Sequence, residues 1–91
     1  MTNPTIAAML TERGARYGEF VDVAYVAQEV KRVLRGGETW KDTTNPQREA
    51  LEMIANKLAR IVNGDANYRD SWVDIIGYAQ LVLDAMPEVG G

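Results

Sequence analysis

The sequence predicts an all-α fold, a compact helical bundle of about four helices. Three observations carry that reading. Apolar residues recur at three- and four-residue spacings in each long segment, start and stop residues of helical type punctuate the chain, and no alternating strand pattern occurs anywhere in it. The 91 residues are read as one domain, 1–91, with 87–91 as a mobile tail. A chain this short buries only about 60–65% of its unfolded surface, so completion of the bundle by oligomerisation is expected.

Each element has its own signals. Asn3-Pro4 sets a capping side chain before a proline, and Ile6, Met9 and Leu10 follow at helical spacing until Arg13-Gly14. A second helix begins after Gly18, with Phe20, Val23, Ala24, Ala27, Val30, Val33 and Leu34 as its apolar stripe. It closes on Lys31, Arg32, Arg35 and Gly36-Gly37, cations and glycine that suit a helix C-terminus. Residues 38–44 read as a connector in which Trp40 is either a lid or a subunit contact. Asn45-Pro46 repeats the first start. The third helix is expected from about Gln47 to Val62, with Leu51, Ile54, Ala55, Leu58, Ile61 and Val62 on one side and Asn63-Gly64 as its stop. The fourth runs from about Tyr68 to Met86, ended by Pro87. Its apolar side holds Trp72, Ile75, Ile76, Ala79, Val82 and Leu83, and Trp72 is expected in the core. Tyr25 lies off its helix's stripe and is a candidate for an oligomer interface.

Composition restricts the chemistry. There is no cysteine and no histidine, which removes thiolate nucleophiles, zinc and iron–sulfur ligation, and the usual general base. Any metal would be a hard cation such as Mg²⁺ held by carboxylates. A net charge of -3 does not suit wrapping duplex DNA. No apolar run reaches the roughly 18–20 residues of a membrane span, and a cytoplasmic location is expected.

The polar faces carry the candidate sites. On the third helix Glu49, Glu52, Asn56, Arg60 and Asn63 share an arc opposite the apolar stripe, with Lys57 at its edge. On the fourth, Asp70, Asp74, Gly77 and Tyr78 share a face. Two carboxylates one turn apart repel unless a cation lies between them. The alternative is a solvated surface, with Asp70 serving the helix dipole and Glu52 pairing with Arg48 or Asn56. Gly77 marks either the approach of a ligand to the backbone or close helix packing. Arg13, Arg16 and Tyr17-Gly18 in the first connector offer guanidinium forks and a flat ring that suit a nucleotide. They equally suit an ordinary helix C-terminus.

The series Arg13-x3-Tyr17-Gly18, Lys57-x2-Arg60 and Asp70-Ser71-Trp72-Val73-Asp74-Ile75-x-Gly77-Tyr78-Ala79 resembles a family of small phage and prophage proteins of uncharacterised function. That family is similar to the MazG-like all-α nucleotide pyrophosphohydrolases. The resemblance runs from Arg13 to about Asp84 and is most specific between Lys57 and Tyr78. It implies a bundle working as a dimer or tetramer in a phage-infected or prophage-carrying bacterial host. The enzymes of that superfamily hold Mg²⁺ on a Glu-x-x-Glu pair and a Glu-x-x-Asp pair and release pyrophosphate from a nucleoside triphosphate. Here Glu49 and Glu52 match the first pair, and Asp70 and Asp74 the second. The second pair departs from the pattern in spacing and in having two aspartates, and Lys57 and Arg60 add cations.

The departures favour a non-catalytic nucleotide-binding protein needing no cofactor. Its ligand is a nucleotide or cyclic nucleotide held by Arg13, Tyr17, Lys57, Arg60, Asp70, Asp74 and Tyr78. A concrete form is a sponge that sequesters a host nucleotide signal in antiphage defence. One alternative is a Mg²⁺-dependent pyrophosphohydrolase using Glu49, Glu52, Asp70 and Asp74 as metal ligands. Another is a structural interaction module.

Overall fold

The computed structural model describes residues 4–88. Helix α1 spans Pro4–Tyr17, α2 Phe20–Arg35, α3 Asn45–Asn63 and α4 Arg69–Ala85, with a single 3-10 turn over Trp40–Asp42. The all-α helical bundle expected from the periodicity is what forms, and no strand occurs among the described residues. The cap expected at Asn3 and residues 89–91 of the expected tail lie outside the described residues.

Helix α3 is the spine. It packs mainly against α4 on one side and α2 on the other, and more lightly against α1. The start of α3 differs by one residue from the expected cap. Thr44, not Asn45, is the capping residue, and it exchanges hydrogen bonds with Gln47 (2.9 and 3.3 Å) in a capping box. Asn45 and Pro46 then fall within the first turn, where a missing N–H leaves no bond unmade.

Helix α1 does not end at Arg13-Gly14. Gly14 is an interior helical residue, and its carbonyl accepts from the Gly18 N–H at 2.8 Å, closing one more turn. Gly18 is the true stop, with φ at +89°. The turn after it lies directly on the C-terminal end of α3. A Cβ on Gly18 would run into the Asn63 carbonyl, and a Cβ on Gly64 would run into the backbone of Arg16 and Tyr17. The Asp65 N–H donates to the Arg16 carbonyl at 2.8 Å across this junction. Two glycines thus let two backbones touch, a requirement that the spacing of apolar residues does not reveal.

The connector after α2 is organised by Arg48. Its guanidinium donates to the carbonyls of Trp40 (3.2 Å) and Lys41 (3.1 Å) and to the Thr43 hydroxyl (2.8 Å), and it lies 5.7 Å from the Trp40 ring centre. Arg48 is therefore engaged here, and Glu52 pairs instead with Arg35 of α2 at 3.6 Å.

Among the described residues the buried set is made of small side chains, Ala27, Ala50, Ala55, Ala59 and Ser71, and one larger one, Ile61. Small side chains let α2 and α4 approach α3 closely, but they fill little volume. Trp72, expected in the core, is half exposed and donates its indole N–H to the Ala66 carbonyl at 2.9 Å. Its side of α4 is turned away from α3, and the ring instead braces the loop before α4. Gly77 is not a close helix-packing contact, since a Cβ there would meet no other part of the chain within 4 Å. Gly77→Ala is therefore expected to stabilise the protein by about 0.5–1 kcal/mol, read as a higher thermal midpoint, because alanine loses less backbone entropy in a helix.

Candidate functional site

The site starts from the angle between α1 and α2. Gly18 ends α1 and reverses the chain, and the docked turn holds the two helices apart over α3. The space between them is an open groove of about 970 Å³. Arg13 and Tyr17 reach it from α1, Phe20 and Gln28 from α2, and Asn56 and Arg60 from α3.

Three of the residues expected to bind a ligand thus come together: Arg13, Tyr17 and Arg60. The Arg60 guanidinium lies over the Tyr17 ring at 4.5 Å, and the opposite edge of the cluster is closed by Tyr68 in a T-shaped contact with Tyr17 at 5.9 Å. Arg16 completes the stack, 5.2 Å from the Tyr68 ring centre, and pairs with Glu12. Neither Arg13 nor Arg60 is paired with a carboxylate among the described residues. Glu19 is the one acid on the groove's lining, so the two forks leave it net positive. Arg13 and Tyr17 also lie on α1 itself and not in a connector, which gives their side chains a rigid base.

The other expected ligand residues are elsewhere. Lys57 and Asp74 pair with each other at 3.0 Å across the α3–α4 contact, and Lys57 is only 12% exposed. Tyr78 lies one turn beyond Asp74 on α4 and does not line the groove. Asp70 accepts the Tyr68 hydroxyl at 3.0 Å, and that bond to a carboxylate holds the Tyr68 pKa above the ordinary tyrosine value. Of the four acids matched to metal ligands, Glu52, Asp70 and Asp74 each have a side-chain partner, and Glu49 is exposed. Among the described residues no three acidic side chains gather closely enough to hold a metal ion.

Asp74→Ala is expected to destabilise the chain by about 1 kcal/mol in urea unfolding, because it leaves the Lys57 ammonium sheltered and unpaired. Affinity for any ligand in the groove should stay unchanged, since Asp74 faces α3 from the other side.

Three groove residues were not among the expected ligand contacts. Phe20 reads as part of the α2 stripe, yet it is 82% exposed at the groove's rim. Its place immediately after the Gly18 turn, in the first turn of a helix with no element above it, was the available signal. Asn56 was recognised on the polar arc but given no ligand role, and Gln28 carried no signal at all.

Fold and groove together define a small all-α helical-bundle protein with a cationic, aromatic-flanked cleft at one end of its central helix. Residues 5–85 match the family described as Domain of unknown function (DUF6378), and the chain belongs to that family. No curated protein and no solved structure matches it. Among the described residues no helix is long and apolar enough to cross a membrane.

Proposed function

We propose that the protein binds a nucleotide in the groove between α1, α2 and α3 and releases it chemically unchanged. The observation that supports this best is the pair of carboxylate-free arginines, Arg13 and Arg60, directed into one cleft of about 970 Å³. A guanidinium fork matches phosphate oxygens in geometry and charge, and a cleft of this size is within the range that small-molecule ligands occupy. Tyr17 positions Arg60 by stacking under it and leaves the outer ring, Phe20, as the platform for a base. The amides of Asn56 and Gln28 supply donors and acceptors for a base edge or a ribose hydroxyl.

Relative to the sequence-based set, the ligand contacts narrow to Arg13, Tyr17 and Arg60, and Lys57, Asp70, Asp74 and Tyr78 drop out of direct contact. The engagement of Glu52, Asp70 and Asp74 by other side chains favours binding over Mg²⁺-dependent pyrophosphate release. The finer reading, a sponge for a host nucleotide signal in antiphage defence, rests on the resemblance to phage and prophage proteins alone.

The test is incubation of the purified protein with nucleoside triphosphates and cyclic nucleotides, with Mg²⁺ and with a chelator, followed by analysis of retained and released compounds. Intact ligand retained in the chelator is the expected result. Pyrophosphate release that requires Mg²⁺ and disappears in Glu49→Gln would replace this reading with the hydrolase. If no compound is retained or altered, the interaction module takes its place.

A further inference from the structure

We infer that Gly14 determines which ligands the groove accepts: its bare backbone on α1 and the Phe20 ring on α2 form a slot for the flat base of the bound nucleotide. This rests on the nucleotide reading of the groove and adds the contact that selects for the base. Gly14 follows Arg13 directly, precedes Tyr17 by three residues and lines the same cleft. Glycine is disfavoured inside a helix relative to alanine, because it gives up more backbone freedom on folding. Its presence in a helix interior calls for something that approaches the backbone closely.

The fold supplies no such neighbour. Gly14 is an interior residue of α1 with helical backbone angles open to any residue, whereas Gly18 is the glycine with a positive φ. A Cβ at position 14 would meet no other described part of the chain within 4 Å, so no helix packs against it. Gly77 on α4 is equally open but does not line the groove, which makes it the control for a helical glycine as such. Across the cleft, one turn into α2, the lining is again short, with Val23 and Ala24. Helices α1 and α2 touch only lightly, although just two residues join them.

The chemistry of the slot selects a planar ring. Inside α1 the Gly14 N–H belongs to the helical ladder, and its carbonyl accepts from the Gly18 N–H at 2.8 Å. With both groups engaged, this stretch of backbone has no donor left for a phosphate and offers a flat contact surface instead. Phosphate is provided for beside it, since Arg13 adjoins Gly14 and Arg60 is held on Tyr17 one turn further along. Phe20, 82% exposed at the rim, supplies a ring on the other wall. A base between the two walls is stacked on one face and covered by backbone on the other. Ring atoms touching the Gly14 backbone at about 3.5–4.0 Å stand well inside the contact distance of an added Cβ. A methyl group at position 14 therefore competes with the base for the same space.

Gly14→Ala separates folding from binding, because the two effects have opposite signs. The thermal midpoint of the free protein should rise by about 2–8 °C, as a helix-favouring residue replaces glycine. Affinity for adenosine triphosphate, measured by calorimetry, should fall about tenfold, and further for Gly14→Leu. Inorganic triphosphate carries the charge without the base, and it should bind wild type and both variants to within about twofold. Gly77→Ala should raise the midpoint and leave both affinities unchanged. A Gly14→Ala chain that binds adenosine triphosphate as wild type does overturns the inference. If Arg13→Ala with Arg60→Ala still weakens that binding, the nucleotide reading of the groove survives the loss of the slot. Equal losses for adenosine triphosphate and inorganic triphosphate also overturn it, because the base is then not what touches position 14. So does a lower midpoint in Gly14→Ala, which makes the glycine a requirement of the fold. A wild-type chain that binds neither compound removes the nucleotide reading and the slot together.

Discussion

Gly18→Ala is expected to lower the unfolding free energy by about 2–6 kcal/mol and to detach α1 from the end of α3. Two separate costs add at this position. The residue has φ at +89°, where a side chain costs about 1–3 kcal/mol. The new Cβ would also meet the Asn63 carbonyl, carbon and Cβ, and overpacking of this kind costs about 1–3 kcal/mol. The obstacle is helix-end backbone rather than the flexible tip of a side chain, so local adjustment recovers little. Urea unfolding measures the loss. Hydrogen exchange at the Asp65 amide, which donates to the Arg16 carbonyl at 2.8 Å, reports directly on the junction. Gly64→Ala should produce the steric part of the effect alone, since Gly64 has a negative φ of -124°. A smaller loss for Gly64→Ala than for Gly18→Ala is the ordering that the geometry requires. Equal stability of Gly18→Ala and wild type would mean that the two backbones do not touch in solution.

The largest effect on binding is expected from Arg13→Ala combined with Arg60→Ala. A charge-assisted hydrogen bond contributes about 1.5–3 kcal/mol when sheltered, and an open groove reduces that to about 1 kcal/mol for each arginine. The double variant should therefore lose affinity for a nucleoside triphosphate by roughly thirtyfold, measured by calorimetry at fixed ionic strength. Arg60→Lys separates charge from shape. It keeps the cation but loses the planar fork that stacks on Tyr17, and it should recover only part of the loss. Raising the salt concentration should weaken wild-type binding more than binding by the double variant. An unchanged affinity in the double variant would remove the groove from consideration as the ligand site. Neither arginine contributes an ion pair to the fold, so the variant should remain folded.

The helices were legible because each was marked locally. The Gly36-Gly37 stop, the Asn63-Gly64 stop and the proline after α4 are signals within a few residues of the boundary they set. The end of α1 was misread because Gly14 and Gly18 carry the same letter, and only the docking of the turn on α3 distinguishes an interior glycine from a terminal one. The site was legible in part. Arg13, Tyr17 and Arg60 were found from residue chemistry, and the structure brings them to one groove. Lys57 and Asp74 looked equally suited to a ligand. They serve each other, because position 57 faces α4 while position 60, three residues on, faces α1.

That contrast marks the division between the two sources. The sequence by itself determined that this chain is all-α, where α2, α3 and α4 begin and end to within about two residues, and that any catalysis without histidine or cysteine would depend on carboxylates. These follow from backbone preferences and side-chain chemistry, which act over a few residues. Only the tertiary structure decided which face of α3 is covered and which is left open. It also decided that Gly18 lies against Asn63 and Gly64 against Arg16 and Tyr17, and that Trp72 braces a loop in place of filling a core. An amphipathic pattern specifies that an apolar face must be covered, but the identity of what covers it depends on contacts between residues far apart in the chain.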